Sequence, residues 1–283
     1  MSMRATVAQP TERFTGIGLH SGKEAWFQVR PASHTGQGIL FRSHSSGRAV
    51  AASVLNVVST NRSTCLGADQ VRVDTVEHVL SACYGFGVTD AEIVFEGREL
   101  PIGDGSSLPF YKLLLSVGLR TTDVPQEELK LDRDVVVTDG AGGVLCAVPS
   151  DHFWISCVVD YSSFPSIGVQ AAIYDGVGYH QSVAPARTYG FHHELDALRA
   201  AGLGLGANYE NVVALDSTGK PDVHTPLRMH DELVRHKILD LIGDLSLSQK
   251  NIKVGIVAHR PSHTLNASLT RKILGAGGES GVI

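Results

Sequence analysis

From Leu119 to Leu129 the chain turns polar, with Thr121, Thr122, Asp123, Pro125, Gln126, Glu127 and Glu128 and little to bury. Such a segment reads as a boundary, so the residues on either side must each close a hydrophobic core of their own. A chain of 283 residues suits two modest domains at roughly 150 residues apiece. We expect an N-terminal domain over 1–120, a linker over 121–129 and a C-terminal domain over 130–283.

Both halves run from strands towards helices. In the first, Gly16, Gly18, Ser21 and Gly22 punctuate a hairpin from Phe14 to Arg30, and a further extended piece covers Ile39 to Arg42. Asp74 and Glu77 have the spacing of a capping box, after which Val76, Val79, Leu80 and Cys83 recur at helical spacing until Gly85 and Gly87. A buried strand over Ala91 to Phe95 and a helix over Pro109 to Val117 complete this half. In the second half, strands over Leu131 to Thr138, Val144 to Val148 and Phe153 to Tyr161 precede helices near Phe191 to Ala201 and Glu232 to Leu247, then a strand over Lys253 to Ala258. Element order alone predicts similar α+β architecture in the two halves, with no residue-level repeat.

Composition narrows the function. The 24 Lys and Arg against 29 Asp and Glu give a net charge of -5, which offers no field for a polyanion, so nucleic acid is not an expected partner. No apolar run reaches the 18 or so residues of a membrane span, and Met1 to Pro10 has no signal-peptide core, so we expect a cytoplasmic chain. Cys65, Cys83, Cys146 and Cys157 form no close pair and read as reduced thiols.

Thirteen histidines invite a metal reading. Two H-x-x-x-D pairs, His192/Asp196 and His236/Asp240, have the spacing that sets two ligands on one helical face. His259/His263 adds an H-x-x-x-H, interrupted by Pro261. His192/Asp196 lies in a polar helical start and reads as surface. On the other segment, His236, Asp240 and Asp244 share a stripe while Leu233, Ile238, Leu241, Ile242 and Leu245 fall largely elsewhere. That stripe is either a solvated face or part of a metal site. Glu77-His78 is likewise either a helix cap or, combined with the stripe, a general base beside a third ligand.

Six blocks, in order, carry a resemblance: Gly16-Ile17-Gly18-Leu19-His20-Ser21-Gly22-Lys23; Thr75-Val76-Glu77-His78; Pro101-Ile102-Gly103-Asp104-Gly105-Ser106; Ala186-Arg187-Thr188-Tyr189-Gly190-Phe191; Val234-Arg235-His236-Lys237-Ile238-Leu239-Asp240 with Gly243-Asp244; and Ser262-His263-Thr264-Leu265-Asn266. The chain resembles the zinc-dependent UDP-3-O-acyl-N-acetylglucosamine deacetylases (LpxC) of lipid A synthesis. The resemblance implies an α+β fold of two similar domains, each layering a β-sheet against two helices in the topology of ribosomal protein S5, with insertions that build the active site. It also implies Zn²⁺ on His78, His236 and Asp240, a set that would accept Fe²⁺ as well.

In that family pattern Glu77 would be the general base. His263 would be the acid that meets the oxyanion and the leaving amine, Asp244 would favour its charged form, and Thr188 would add an oxyanion contact. Lys237 would point into the substrate site, and Glu194, Leu19, Tyr189, Phe191, Leu203 and Leu205 would bind substrate, the apolar ones around its acyl chain. UDP-3-O-acyl-N-acetylglucosamine is the expected substrate, and the chain is expected to act as a monomer. Ser262 stands in place of a usual glycine, Phe164-Pro165 in place of a common His-Pro, Gly103 in place of a bulkier residue, and Ala141-Gly142-Gly143 offers no lysine for the nucleotide phosphates. Two alternatives remain: a paralogous zinc deacetylase for another N-acyl amino sugar, and a non-catalytic metal- or lipid-binding module.

Overall fold

The computed structural model describes residues 2–276, so Met1 and residues 277–283 of the expected domains lie outside it. In the first half, strands Phe14–Ile17, Glu24–Pro31, Ile39–Ser43 and Ala49–Ala51 share one sheet. A fifth, Ala91–Glu96, enters between the second and third, antiparallel to Glu24–Pro31 and parallel to Ile39–Ser43. The second half repeats this order with Val135–Thr138, Val144–Pro149, Trp154–Tyr161 and Gly168–Tyr174. Here Asn251–His259 enters between the second and third, again antiparallel to one and parallel to the other.

In each half one helix leads into the entering strand and another follows it. Helices α1 (Glu77–Phe86) and α2 (Leu108–Leu115) do so in the first half. The second half carries the short α3 (Tyr179–Ser182) and α4 (Leu195–Ala200), and then the layer helices α5 (Glu232–Leu245) and α6 (His263–Ala276). Both halves also carry an insertion at the same topological point, between the fourth strand and the first layer helix. The first insertion is a three-stranded sheet of Val57–Ser59, Cys65–Ala68 and Val71–Val73. The second holds α3, α4 and a parallel pair, Tyr189–Phe191 with Val213–Leu215.

The polar segment expected as a linker is mostly strand. Leu119–Pro125 pairs antiparallel with Met3–Val7, and Glu128–Lys130 pairs parallel with Asn251–His259. The first of these strands is solvent-facing along nearly its whole length, so its backbone is satisfied by one neighbour while its side chains stay wet, and its composition mimics a loop. Helix α6 was not anticipated at all. Its signal is present, because Leu265, Leu269 and Ile273 recur every fourth residue and are buried. Ser262 caps it, its hydroxyl accepting from the Leu265 N–H at 3.3 Å, a bond that glycine at 262 would not make.

Each sheet buries one face. In Trp154–Tyr161 the residues Ile155, Cys157 and Val159 point inward and alternate with half-buried neighbours, the period-two pattern of a strand with one covered side. They join Leu145, Ile242 and Ile256 in the core of the second half, while Phe27, Phe41, Leu80 and Ile93 anchor that of the first. Each such side chain contributes about 1.5–3 kcal/mol by leaving water.

Helix α5 is covered by its sheet, α6 and α1, so that His236, Asp240 and Asp244 are 2%, 2% and 0% exposed. The solvated-face reading of that stripe therefore fails. Helices α1 and α5 meet backbone to backbone at Gly243, where a Cβ would lie 2.1 Å from the Glu77 carbonyl oxygen.

Candidate metal centre and cleft

The entry to α1 decides what Glu77 does. Thr75 adopts φ 60, a left-handed conformation costly for a β-branched residue, and turns the chain so that Asp74 lies outside the helix. Asp74 instead accepts from Arg72 Nε at 2.8 Å and Arg98 Nε at 3.1 Å, and α1 has no side-chain cap. The capping-box expectation is thus wrong, and the Glu77 carboxylate is free to turn inward, where its Oε2 accepts from the Thr64 N–H at 3.0 Å. Gly85, expected to stop the helix, lies within it against the Tyr179 ring. Gly87, at φ 94, makes the cap.

His78 at the start of α1 faces His236 and Asp240 of α5. Asp240 Oδ1 lies 3.4 Å from His236 Nε2 and 3.9 Å from His78 Nε2, and the potential ligand atoms of the three all lie within 4.8 Å of one another. His236 Nδ1 donates to the Ala186 carbonyl at 3.1 Å, which leaves its Nε2 as a lone pair aimed at Asp240. Burial lowers His78 to about 4 and His236 to about 3, so both rings are neutral at physiological pH. Burial alone would raise the Asp240 carboxyl, but His236, once acid protonates it, and Lys237 outweigh it and hold it well below the usual range. Asp240 Oδ1 is buried without a hydrogen-bond partner. Two imidazole lone pairs and an orphaned carboxylate oxygen converging in a buried site repel one another unless a cation lies between them, and an N, N, O set suits Zn²⁺.

Around this triad the remaining ionisable groups are ordered by charge. His263, at the first turn of α6, donates from Nδ1 to Asp244 Oδ2 at 2.9 Å. Its Nε2 lies 3.9 Å from Glu77 Oε1 and 4.0 Å from Asp240 Oδ2. Although burial lowers it, Asp244 and Asp240 push His263 up to about 9, so it is cationic at neutral pH. Asp244 is held in turn by Thr64 Oγ1 at 2.5 Å and Asn266 Nδ2 at 2.8 Å. Burial, with Asp244 and Asp240 nearby, pushes Glu77 up to about 8 against the pull of His263. A cation at the triad would pull it back down. Lys237 Nζ donates to Asp240 Oδ2 at 2.9 Å and lies 5.6 Å from the centre of the Tyr189 ring.

These groups open into a cleft of about 550 Å³. Leu19, Thr188, Tyr189, Phe191 and Glu194 line it together with Glu77, His78, His236, Lys237, Asp240 and His263, while Asp244 stands behind His263. Leu203 and Leu205 do not line it. The loop they occupy is clamped to the Gly18 segment, with the Leu205 N–H donating to His20 O at 3.1 Å and the Gly206 N–H to Leu19 O at 3.0 Å, and Leu205 faces solvent. Leu195 and Leu198 of α4, with Val212 and Ala214, line the cleft instead. His192 pairs with Asp222 rather than with Asp196. Phe164 stacks on Phe191 with ring centres 4.3 Å apart.

Sequence reasoning missed the supports. Thr64 touches both Glu77 and Asp244 from the first insertion, and nothing in its neighbourhood of sequence marks it. Glu99 accepts from the His20 and Ser21 N–H groups at 2.8 and 2.7 Å and from Thr75 Oγ1 at 3.1 Å, so it ties the cleft wall to the turn before Glu77. Gly105 O accepts from the Thr188 N–H at 2.8 Å. Two of the six sequence blocks, around Leu19 and around Gly105, thus act on the site through backbone contacts.

A family model described as "LpxC: UDP-3-O-acyl N-acetylglycosamine deacetylase" matches residues 4–275. The UDP-3-O-acyl-N-acetylglucosamine deacetylase of Myxococcus xanthus is 38% identical over 265 residues, covering 92% of this chain and 82% of the relative. The protein of the same name from Pseudomonas entomophila is 37% identical over 277 residues, 96% of this chain and 90% of the relative. That of Acidithiobacillus ferrooxidans is 37% identical over 265 residues, 92% and 86% of the two chains.

Proposed function

The chain belongs to the LpxC family, and from that premise we propose how its own residues perform the family's reaction. It is a hydrolase that removes the acetyl group from UDP-3-O-acyl-N-acetylglucosamine in lipid A biosynthesis. The observation that supports our reading of the site is the convergence of three buried donors, His78, His236 and Asp240, with an orphaned carboxylate oxygen between them. These residues would hold Zn²⁺, and Fe²⁺ would satisfy the same donor set. When bound there, the ion would supply Lewis acidity for a carbonyl oxygen and would lower the pKa of water.

Glu77 takes the proton from the attacking water, since it lines the same cleft as the triad, with its Oε1 3.9 Å from His263 Nε2, while the Thr64 N–H holds its other oxygen. The carbonyl oxygen becomes negative as the new C–O bond forms, and the Thr188 side chain and cationic His263 stabilise that charge. When the C–N bond breaks, His263 gives its Nε2 proton to the departing nitrogen, leaving acetate and a free amine. Asp244 keeps His263 charged and oriented for this step. Lys237 fixes Asp240.

The acyl chain lies along Leu19, Leu195, Leu198, Val212 and Ala214, gaining about 0.8 kcal/mol per buried CH₂. Tyr189 and Phe191 border the same passage, and Glu194 offers a polar contact to the substrate. Among the described residues no helix is long and apolar enough to cross a membrane; we place the chain in the cytoplasm as a monomer. The test is acetate release from the UDP-sugar with metal content measured in parallel. Glu77→Gln is expected to lower kcat by about 10²–10⁴ with zinc retained at one per chain. Near-normal turnover in that variant would sink the assignment of the base.

A further inference from the structure

The buried ion pair between Arg187 and Glu232 takes no part in the mechanism above. Glu232 is 0% exposed and Arg187 7%. Glu232 Oε1 accepts from the Arg187 N–H at 3.0 Å and from Arg187 Nε at 2.8 Å. Its Oε2 accepts from Arg187 Nη2 at 3.1 Å and from the Arg228 N–H at 2.6 Å. Arg187 Nη2 also donates to the Pro226 carbonyl at 2.6 Å. A single carboxylate thus fixes both the side chain and the backbone of residue 187.

That backbone is flanked by two groups of the site. Ala186 O accepts a hydrogen bond from His236 Nδ1–H, and Thr188 lines the cleft. Glu232 in turn lies one helical turn before His236 on α5. The contacts form a closed circuit: Glu232 to Arg187, Arg187 to Ala186 along the chain, Ala186 O to the His236 ring, and His236 back to Glu232 along the helix. Stability alone does not account for such a pair, because replacing both partners of a buried ion pair with apolar groups of similar volume is often neutral or stabilising. Its distinguishing effect is geometric.

We propose that Arg187 and Glu232 are positioning residues for the metal centre, setting the ring orientation and tautomer of His236 through the Ala186 carbonyl. The inference rests on the metal-site reading above. Partners that orient a ligand in this way change metal affinity by about 10–100-fold when removed.

The test titrates metal-free protein with Zn²⁺ and Co²⁺ against a competing chelator and records the Co²⁺ visible spectrum, with melting temperature as the folding control. Glu232→Gln is expected to raise the metal Kd about 10–100-fold and to shift the Co²⁺ bands. Because Glu232→Gln leaves Arg187 buried without a counter-charge and so endangers folding, the paired variant Arg187→Met with Glu232→Met is measured beside it. It is expected to keep the fold and show the same loss of affinity. A folded paired variant with wild-type Kd and spectrum would overturn the proposal. His236→Ala separates the two levels: if it binds metal as tightly as wild type, the metal-site reading itself fails, whereas loss of binding there with unchanged affinity in the paired variant removes only the role of Arg187 and Glu232.

Discussion

The two halves of this protein share a strand order, two layer helices and the position of an insertion, yet divide their work unequally. Helix α1 is ten residues long and offers Glu77 and His78 from its first turn, while α5, at fourteen residues, offers His236, Asp240 and Asp244 over more than two turns. Their outer sheet faces differ as well. The first carries a charged cross-strand pair, Arg42 Nε to Glu92 Oε2 at 2.8 Å, whereas the second leaves Val136, Val257 and Ile173 at 45%, 46% and 69% exposure. Two copies of one architecture thus supply a scaffold in which neither holds all three of His78, His236 and Asp240. The groups we propose to react lie on the seam, where α1 and α5 touch.

The seam is broken most severely by removing a ligand from either side. His78→Ala and His236→Ala are each expected to reduce bound metal well below one per chain and to abolish acetate release at trace metal. If only the α5 variant did so, the centre would belong to one half. Asp244→Asn comes next, with kcat lower by about 10²–10³ and metal retained, since it loosens the acid rather than the triad. Burial lowers His263 and Asp244 is the main influence raising it, so losing that charge lowers its pKa. The basic limb of the kcat profile, which requires the protonated ring, should therefore move to lower pH; an unmoved limb would reassign the acid.

Gly243→Ala probes the helix contact itself. The added carbon meets the Glu77 backbone, so a loss of about 1–3 kcal/mol is expected in chemical denaturation, together with weaker metal binding because His78 is displaced. Unchanged stability would show that the helices separate without cost. The outer faces should matter least: Arg42→Ala is expected to cost no more than about 1 kcal/mol, and Ile173→Thr to stay within about 0.5 kcal/mol. A larger effect for Ile173→Thr would show that this apolar face is covered in solution.

Much of this was legible beforehand because the informative patterns are local. The spacing from His236 to Asp240 to Asp244 places three polar groups on one helical stripe whatever surrounds the helix, and the six sequence blocks contain Leu19, Glu77, His78, Thr188, Tyr189 and His263, which the fold gathers around one cleft. The segment 119–125 misled for the converse reason: an exposed edge strand and a linker have the same composition, and only the partner strand Met3–Val7 distinguishes them. Leu203 and Leu205 misled because an apolar residue beside a cleft and one lining it read alike; with the loop bonded to residues 19 and 20, Gly204 reaches the cleft while Leu205 faces solvent.

The sequence by itself determined the donor side chains, their grouping on helices and a strands-then-helices order in each half, since helical and strand periodicities are set by covalent geometry within a few residues. Tertiary structure alone decided that the α5 stripe is buried, that Glu77 is released from capping, that Thr64 reaches both carboxylates and that His78 meets His236 across a glycine. The Glu77 turn is settled by Arg72, Arg98 and Thr64 nearby in the chain, but the other outcomes depend on which surfaces desolvate one another across distant segments, as Thr64 and Asp244 do over 180 residues, and no local pattern encodes that choice.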